Sequence, residues 1–256
     1  MYDPEEAFRR MTALSIVALV VAINVSFFFV GGGLFHFLIH RGSPLAVARR
    51  RHQPKKQQTR AMIRSKVPLV LFNGIMLNGI VGAGIALSSG PWGASYWHST
   101  RYGFVHAALT TVGLFFFYHF ALFYFHRAMH GPRLFRAFHH LHHRFKAPMF
   151  LDALYEHPLE ALYGSIVLIA PLFVFPVSLY GYLIFFAIVG VHEIVDHSGI
   201  DLDLPLLSRS RHHDDHHRRS NCYYGQLLPV LDRAHGSVLV EGDRMLGSHR
   251  AVARHR

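Results

Sequence analysis

The sequence predicts an all-α polytopic membrane protein, with about four to five transmembrane or re-entrant helices and a cytoplasmic, histidine-rich helical cap. Three observations predict it. Apolar residues make up 51% of the chain and charged residues only 16%, whereas charged residues form about a quarter of ordinary soluble domains. Apolar runs recur at the length that crosses a bilayer, about 20 residues. Most of the 22 histidines crowd between His106 and His217, at the ends of those runs.

The first apolar run extends from Thr12 to Ile39. It is too long for a cleaved signal peptide, and Asp3, Glu5 and Glu6 precede it, so a retained anchor is expected. The loop Arg41 to Lys66 carries Arg49, Arg50, Arg51, Lys55, Lys56, Arg60, Arg64 and Lys66 with no acidic residue, which places it on the cytoplasmic side. A second run, Val67 to Ser88, leads to an external turn, Gly90 to Tyr102. Arg101 is the sole charge there, and Trp92, Tyr96, Trp97 and Tyr102 suit an interfacial aromatic belt. The third run, Gly103 to Phe125, returns to the cytoplasm and delivers His126. Two shorter runs, Leu159 to Phe175 and Val177 to Val191, are broken by Pro176 and read as a spanning or re-entrant hairpin. The chain thus divides into transmembrane helices with a basic loop (1–102), a histidine-box region with the hairpin (103–237) and a C-terminal tail (238–256).

The formal net charge of +11 lies beside apolar spans, so anionic lipid headgroups rather than nucleic acid are its expected partner. Cys222 is the only cysteine, which excludes an internal disulfide and any cysteine-based zinc or iron–sulfur site.

Four histidine groups remain. FHRAMH holds His126 and His130 four apart, HHLHH holds His139, His142 and His143, VHEIVDHSG holds His192 and His197, and HHDDHH holds His213, His216 and His217. At i, i+3 and i+4 such rings share a helix face. A cationic surface, the role Arg133, Arg136, Arg144, Arg218 and Arg219 fill, has no need of weakly charged histidine at fixed spacing. Four ligands saturate a tetrahedral ion, so eight to ten imidazoles imply two metals. Zinc, iron, copper and nickel all accept imidazole. Glu156 beside His157, Glu193, Asp196, Asp214 and Asp215 are placed to accept the second ring N–H of a ligand and fix its tautomer. No Glu-x-x-His pair of the soluble carboxylate-bridged kind is present.

Taken with EHPLE (156–160), HSG (197–199), NCYYG (221–225) and LDRAHGS (231–237), these boxes resemble the fatty acid hydroxylase and sterol desaturase superfamily of integral-membrane oxygenases, from about Tyr118 to Ser237. The resemblance implies a four-helix membrane domain, a dimetal centre held by histidines alone, and oxidation of a lipid C–H bond by dioxygen and two external electrons, as hydroxylation or, second, desaturation. It implies as ligands His126, His130, His139, His142, His143, His192, His197, His213, His216 and His217, with His157 in a structural or ligand-orienting role. The metals are expected to be two iron ions, which zinc can replace in a purified preparation. Electrons are expected from a separate haem protein, or a ferredoxin with its reductase, steered to the basic face by charge. The lipid is expected to enter from the bilayer between helices lined by Phe115, Phe116, Phe117, Phe120 and Phe123. A histidine-rich metal transporter is the alternative, and would string its ligands along a mid-bilayer path. His235 stands where the LDRAHGS signature more usually has an aromatic, and DRMLGS (243–248) resembles the same signature again.

Overall fold

The computed structural model describes residues 8, 11–41, 51–97, 102–200, 210–240 and 244–245. Arg49, Arg50, Arg101, most of the DRMLGS repeat and most of the tail lie outside the described residues.

Among the described residues, four helices are long and apolar enough to cross a membrane: α1 (Ala13–Ile39), α2 (Arg60–Ser88), α3 (Gly103–Met129) and α5 (Leu179–Asp196). A shorter apolar helix, α4 (Pro158–Val174), precedes α5 and packs mainly on α2. The cap adds α6 (Ser210–Arg219) and a single turn, α7 (Val230–Ala234), followed by a two-residue antiparallel ladder of β1 (Leu239–Val240) and β2 (Arg244–Met245). The described residues are thus all-α apart from that ladder, as the composition and apolar runs predict.

Hydroxyl caps start α1, α2 and α5, where water-seeking side chains meet apolar runs. Thr12 Oγ1 accepts from Ser15 N (3.1 Å), Thr59 Oγ1 from Met62 N (3.3 Å) and Ser178 Oγ from Gly181 N (3.5 Å). Within α1 the ladder widens to a π-helical turn, Phe27–Gly31. Small residues let the helices approach closely, as expected in a solvent as apolar as the side chains themselves. A Cβ on Gly82 would lie 2.9 Å from Val17 Cα of α1, and one on Gly84 would lie 2.7 Å from Ile169 of α4. The outer faces keep Leu34, Phe37, Phe104, Val105, Leu109 and Ile184 exposed, a surface suited to lipid.

The α4–α5 hairpin runs the depth of the bundle. Its turn is tied to the connection between α2 and α3: Ala94 N donates to Leu172 O (3.0 Å), Tyr96 N to Val177 O (3.0 Å), and Leu179 N to Tyr96 O (2.8 Å). At the other end, His157 opens α4 and His197 closes α5. The same contacts revise the aromatic belt. Trp92 and Tyr102 face outward, but Tyr96 is buried against His106 and Trp97 packs on Phe8 and Tyr180, so these two fasten the hairpin tip.

The segment between α3 and α4 folds over the open end of the bundle and is pinned by one buried ion pair. Lys66 of α2 and Asp152 are both fully buried and in direct contact. Asp152 Oδ2 also accepts from Gln58 Nε2 (2.6 Å) and Met149 N (2.8 Å), and the Lys66 ammonium lies 4.1 Å from the centre of the Phe145 ring.

Candidate metal centre

All the predicted histidine boxes reach one end of the bundle, where nine imidazoles form two adjoining clusters. His126, His130, His139, His143 and His216 make the first, and His142, His197, His213 and His217 the second. Within each cluster the candidate donor nitrogens lie within 4.8 Å of one another.

The two H-x-x-H-H boxes are shared between the clusters in opposite senses. His139 and His143, four apart, serve the first while His142 crosses to the second; His213 and His217 serve the second while His216 crosses to the first. The sequence suggested one stripe on a regular helix. Around HHLHH the backbone instead passes through a π turn (Phe135–His139) and a 3-10 turn (His142–Arg144), which splays the rings. The HHDDHH box does lie on a regular helix, α6.

Ring orientation identifies the lone pairs. His126 Nδ1 donates to Tyr224 O (2.9 Å), His216 Nδ1 to Cys222 O (2.7 Å) and His197 Nδ1 to Glu193 O (2.9 Å). A carbonyl only accepts, so each of these rings turns an unprotonated Nε2 inward. His139 Nδ1 lies 2.6 Å from Glu160 Oε2, to which it donates, with the same consequence. These Nε2 atoms meet further imidazole nitrogens: His139 to His130 at 3.0 Å, His216 to His143 at 3.1 Å, His197 to His213 at 2.9 Å and His213 to His217 at 3.1 Å. Two nitrogens that each sit about 2.1 Å from one ion are separated by about 3–3.5 Å. The spacing and the converging lone pairs fit a cation in each cluster.

Electrostatics keep the rings in the ligating form. Burial, followed by the neighbouring rings, holds His142, His143, His213, His216 and His217 well below the usual histidine pKa and lowers His139. Burial lowers His197 to about 4, and burial with the adjacent His126 lowers His130 to about 2. A neutral imidazole keeps the lone pair that a metal needs.

The remaining expected site residues fall around the clusters. His192 belongs to neither; its Nδ1 is 3.5 Å from Asp196 Oδ2, and both ring nitrogens are buried without a hydrogen-bond partner among the described residues. Glu193 orients His197 through its backbone carbonyl, its carboxylate being 3.9 Å away. Asp214 accepts from Gln53 Nε2 (2.9 Å) rather than from a ligand ring, and burial raises its carboxyl to about 6. His157 accepts from Leu159 N (3.2 Å) as the cap of α4.

Several orienting groups were not singled out from the sequence. Glu160 carries no signal beyond its place at the end of EHPLE, and the carbonyls of Cys222 and Tyr224 leave no signature of side-chain type. Asp232 organises both carbonyls. Its carboxylate is buried and accepts from Tyr224 N (2.8 Å), Gly225 N (2.8 Å) and Ser237 Oγ (2.6 Å). The NCYYG and DRxxGS signatures are two halves of this clamp. Gly225 is required where the chain passes the carboxylate, since a Cβ there would lie 2.8 Å from Asp232 Oδ2 and 2.9 Å from Leu228 O.

A cavity of about 430 Å³ opens onto both clusters, touching His126 and His139 of the first and His142 and His197 of the second. Phe27, Phe28, Leu77, Leu122, Phe125 and Phe186 are part of its largely apolar wall. The phenylalanines expected to line it do not. Phe116, Phe117 and Phe120 point outward, Phe115 packs on Phe185, and Phe123 stacks on His235. Helical phase explains the difference: the face of α3 that meets the cavity carries Tyr118, Leu122, Phe125, His126 and Met129.

Residues 111–237 match the fatty acid hydroxylase family model. The chain is 27% identical to fatty acid hydroxylase ahd1 of Mycosarcoma maydis over 88% of its own length and 58% of that protein's. It is 28% identical to human fatty acid hydroxylase domain-containing protein 2 over 94% of its length and 71% of that protein's, and 31% identical to rat lathosterol oxidase over 53% and 46%. It therefore spans little more than half of the first of these relatives and less than half of the last. No solved structure matches. The motifs read from the sequence, the matched residues and these relatives agree, and the chain belongs to the fatty acid hydroxylase and sterol desaturase superfamily.

Proposed function

We propose that the protein oxidises a C–H bond of a bilayer lipid, by hydroxylation in the first instance and desaturation in the second, at a pair of irons held by the nine clustered histidines. The observation that carries the reading is the joint opening of both imidazole clusters onto one apolar cavity within a helical membrane bundle. Bound there, iron would supply the redox chemistry that activates dioxygen, which acid, base or nucleophile cannot replace at an unactivated methylene.

The chain's own residues have separable tasks. His126, His130, His139, His143 and His216 hold one ion, and His142, His197, His213 and His217 the other. Glu160 and the carbonyls of Glu193, Cys222 and Tyr224 fix ring tautomers so that lone pairs face inward. Phe27, Phe28, Leu77, Leu122 and Phe125 hold an acyl chain or ring against the clusters and keep water away. His192, with Asp196 beside it, lies next to this set and is assigned a supporting role. Electrons come from a separate haem protein, or a ferredoxin with its reductase, docking at the histidine-bearing end, on the side that the positive-inside rule reads as cytoplasmic.

The transporter alternative fits less well, because the ligands gather at helix ends and under the cap rather than along the bundle's depth. Lipid mass spectrometry of cells with and without the chain, repeated with His142→Ala, tests the proposal. A new hydroxyl or double bond that disappears in the variant supports it; an unchanged lipid profile in cells containing the relatives' substrates overturns it. Metal analysis of His130→Ala and His213→Ala separates the clusters. Each variant is expected to lose about one of two metal equivalents, and full retention in both would overturn the ligand assignment.

A further inference from the structure

A second, polar pocket of about 170 Å³ lies behind the metal clusters and is separate from the apolar cavity. It forms where the C-terminal end of α1 (His36, His40), the basic loop (Arg51, Gln53, Lys56), the turn after His197 (Ser198, Gly199) and Asp214 of α6 meet. The size suits a headgroup or an ion rather than a whole ligand, since sites for drug-sized molecules run to about 300 Å³ or more.

Four lining side chains each bury a polar atom that has no hydrogen-bond partner among the described residues: His36 Nδ1, Arg51 Nε, Gln53 Oε1 and Asp214 Oδ1. A buried polar atom without a partner costs roughly 1–3 kcal/mol, so four around one space call for a ligand. The atoms are held in place by their neighbours. Gln53 Nε2 donates to Lys146 O (2.6 Å) and to Asp214 Oδ2 (2.9 Å), so the Gln53 and Asp214 oxygens left over are acceptors. His52 N donates to Gly199 O (3.2 Å), fastening the strip that carries Arg51 and Gln53 to the turn after His197.

The inventory specifies the ligand. Arg51 requires an anionic acceptor, and Lys56 adds a second cation to the lining, whereas Gln53 Oε1 and Asp214 Oδ1 require a donor, and beside a carboxylate a cationic donor fits best. Depth specifies its source, because the pocket begins where α1 leaves the apolar layer, next to the exposed Phe37 and Leu38. We propose that this pocket binds the headgroup of a lipid that carries a phosphate and a primary ammonium, of the phosphatidylethanolamine kind, with the phosphate on Arg51 and Lys56 and the ammonium on Asp214 and Gln53. The site does not depend on the chemistry assigned to the metal clusters.

The full-length protein in detergent, with its metals, would be titrated with short-chain phosphatidylethanolamine, short-chain phosphatidylcholine and inorganic phosphate, and binding followed by native mass spectrometry. Phosphatidylethanolamine is expected to bind at least about tenfold more tightly than phosphatidylcholine, whose quaternary nitrogen donates no hydrogen bond, and Asp214→Asn, which removes the charge that faces the ammonium, should remove that preference. Arg136→Gln, on the exposed surface outside the pocket, should leave it intact. Should Asp214→Asn fail to fold, as judged by metal content and a single size-exclusion peak, Gln53→Leu replaces it with the same expectation. Equal binding of the two lipids, or a preference unchanged in a folded pocket variant, overturns the proposal. Inorganic phosphate that competes as well as the ethanolamine lipid would overturn the headgroup reading in favour of a free-anion site.

Discussion

Replacing Asp232 by Asn tests whether the metal centre depends on a residue that touches no metal. The carboxylate receives three donors, from Tyr224 N, Gly225 N and Ser237 Oγ, at 2.6–2.8 Å. Burial pushes its pKa up, while the bonds from Ser237 and the two amides pull it down. Asn keeps the shape but offers one acceptor oxygen, so its NH2 faces at least one backbone N–H that has lost its partner. Losing one charge-assisted bond costs about 1.5–3 kcal/mol. The penalty falls on the 222–225 turn, whose carbonyls orient His126 and His216, both in the first cluster. At 1.4 kcal/mol per decade, metal affinity in that cluster should fall about 10- to 100-fold. Competition with a graded chelator, read by metal analysis, measures this, and the second cluster serves as the internal control. Unchanged affinity in Asp232→Asn, or an equal loss from both clusters, would refute the clamp.

Three further outcomes follow from named contacts. Glu160→Gln removes the carboxylate that accepts from His139 Nδ1 and should lower affinity in the first cluster about 10- to 100-fold in the same chelator assay. Gly164→Leu should leave metal content unchanged and cut lipid turnover at least about tenfold, because Gly164 lines the apolar cavity and nothing lies within 4 Å of where its Cβ would be; unchanged turnover would move the substrate route elsewhere. Lys66→Met leaves Asp152 buried without its charge partner and should destabilise the fold by about 3–5 kcal/mol, seen as a lowered thermal midpoint in detergent. A midpoint equal to that of the parent would show that Gln58 and the Met149 amide suffice for Asp152.

Features whose cause is local were legible in the sequence. Bilayer-length apolar runs became α1, α2 and α3, the two shorter runs around Pro176 became α4 and α5, and the boxes at their ends supplied the clusters, because hydrophobic length and ligand spacing are written in consecutive residues. Contacts set by helical phase or by folding back over distance were not legible. The phenylalanines of α3 were assigned to the cavity by type, but rotation of the helix sends Phe116, Phe117 and Phe120 outward. The split of each H-x-x-H-H box between two clusters depends on how α6 sits against the irregular turns at 135–144. Backbone carbonyls acting as tautomer switches are invisible to residue type altogether. Asp232 had a signal, the LDRAHGS motif, but its role emerges only when that motif meets NCYYG.

The clamp also has a consequence for the order of synthesis. A chain emerging from the ribosome exposes His126 about a hundred residues before Asp232, and every clustered histidine precedes it. Helices and boxes can therefore form first, as domains commonly assemble from the N-terminal side, while the turn that sets the tautomers of His126 and His216 waits for residues 232–237. A nascent chain halted before that point would hold all nine clustered histidines without the turn that orients His126 and His216.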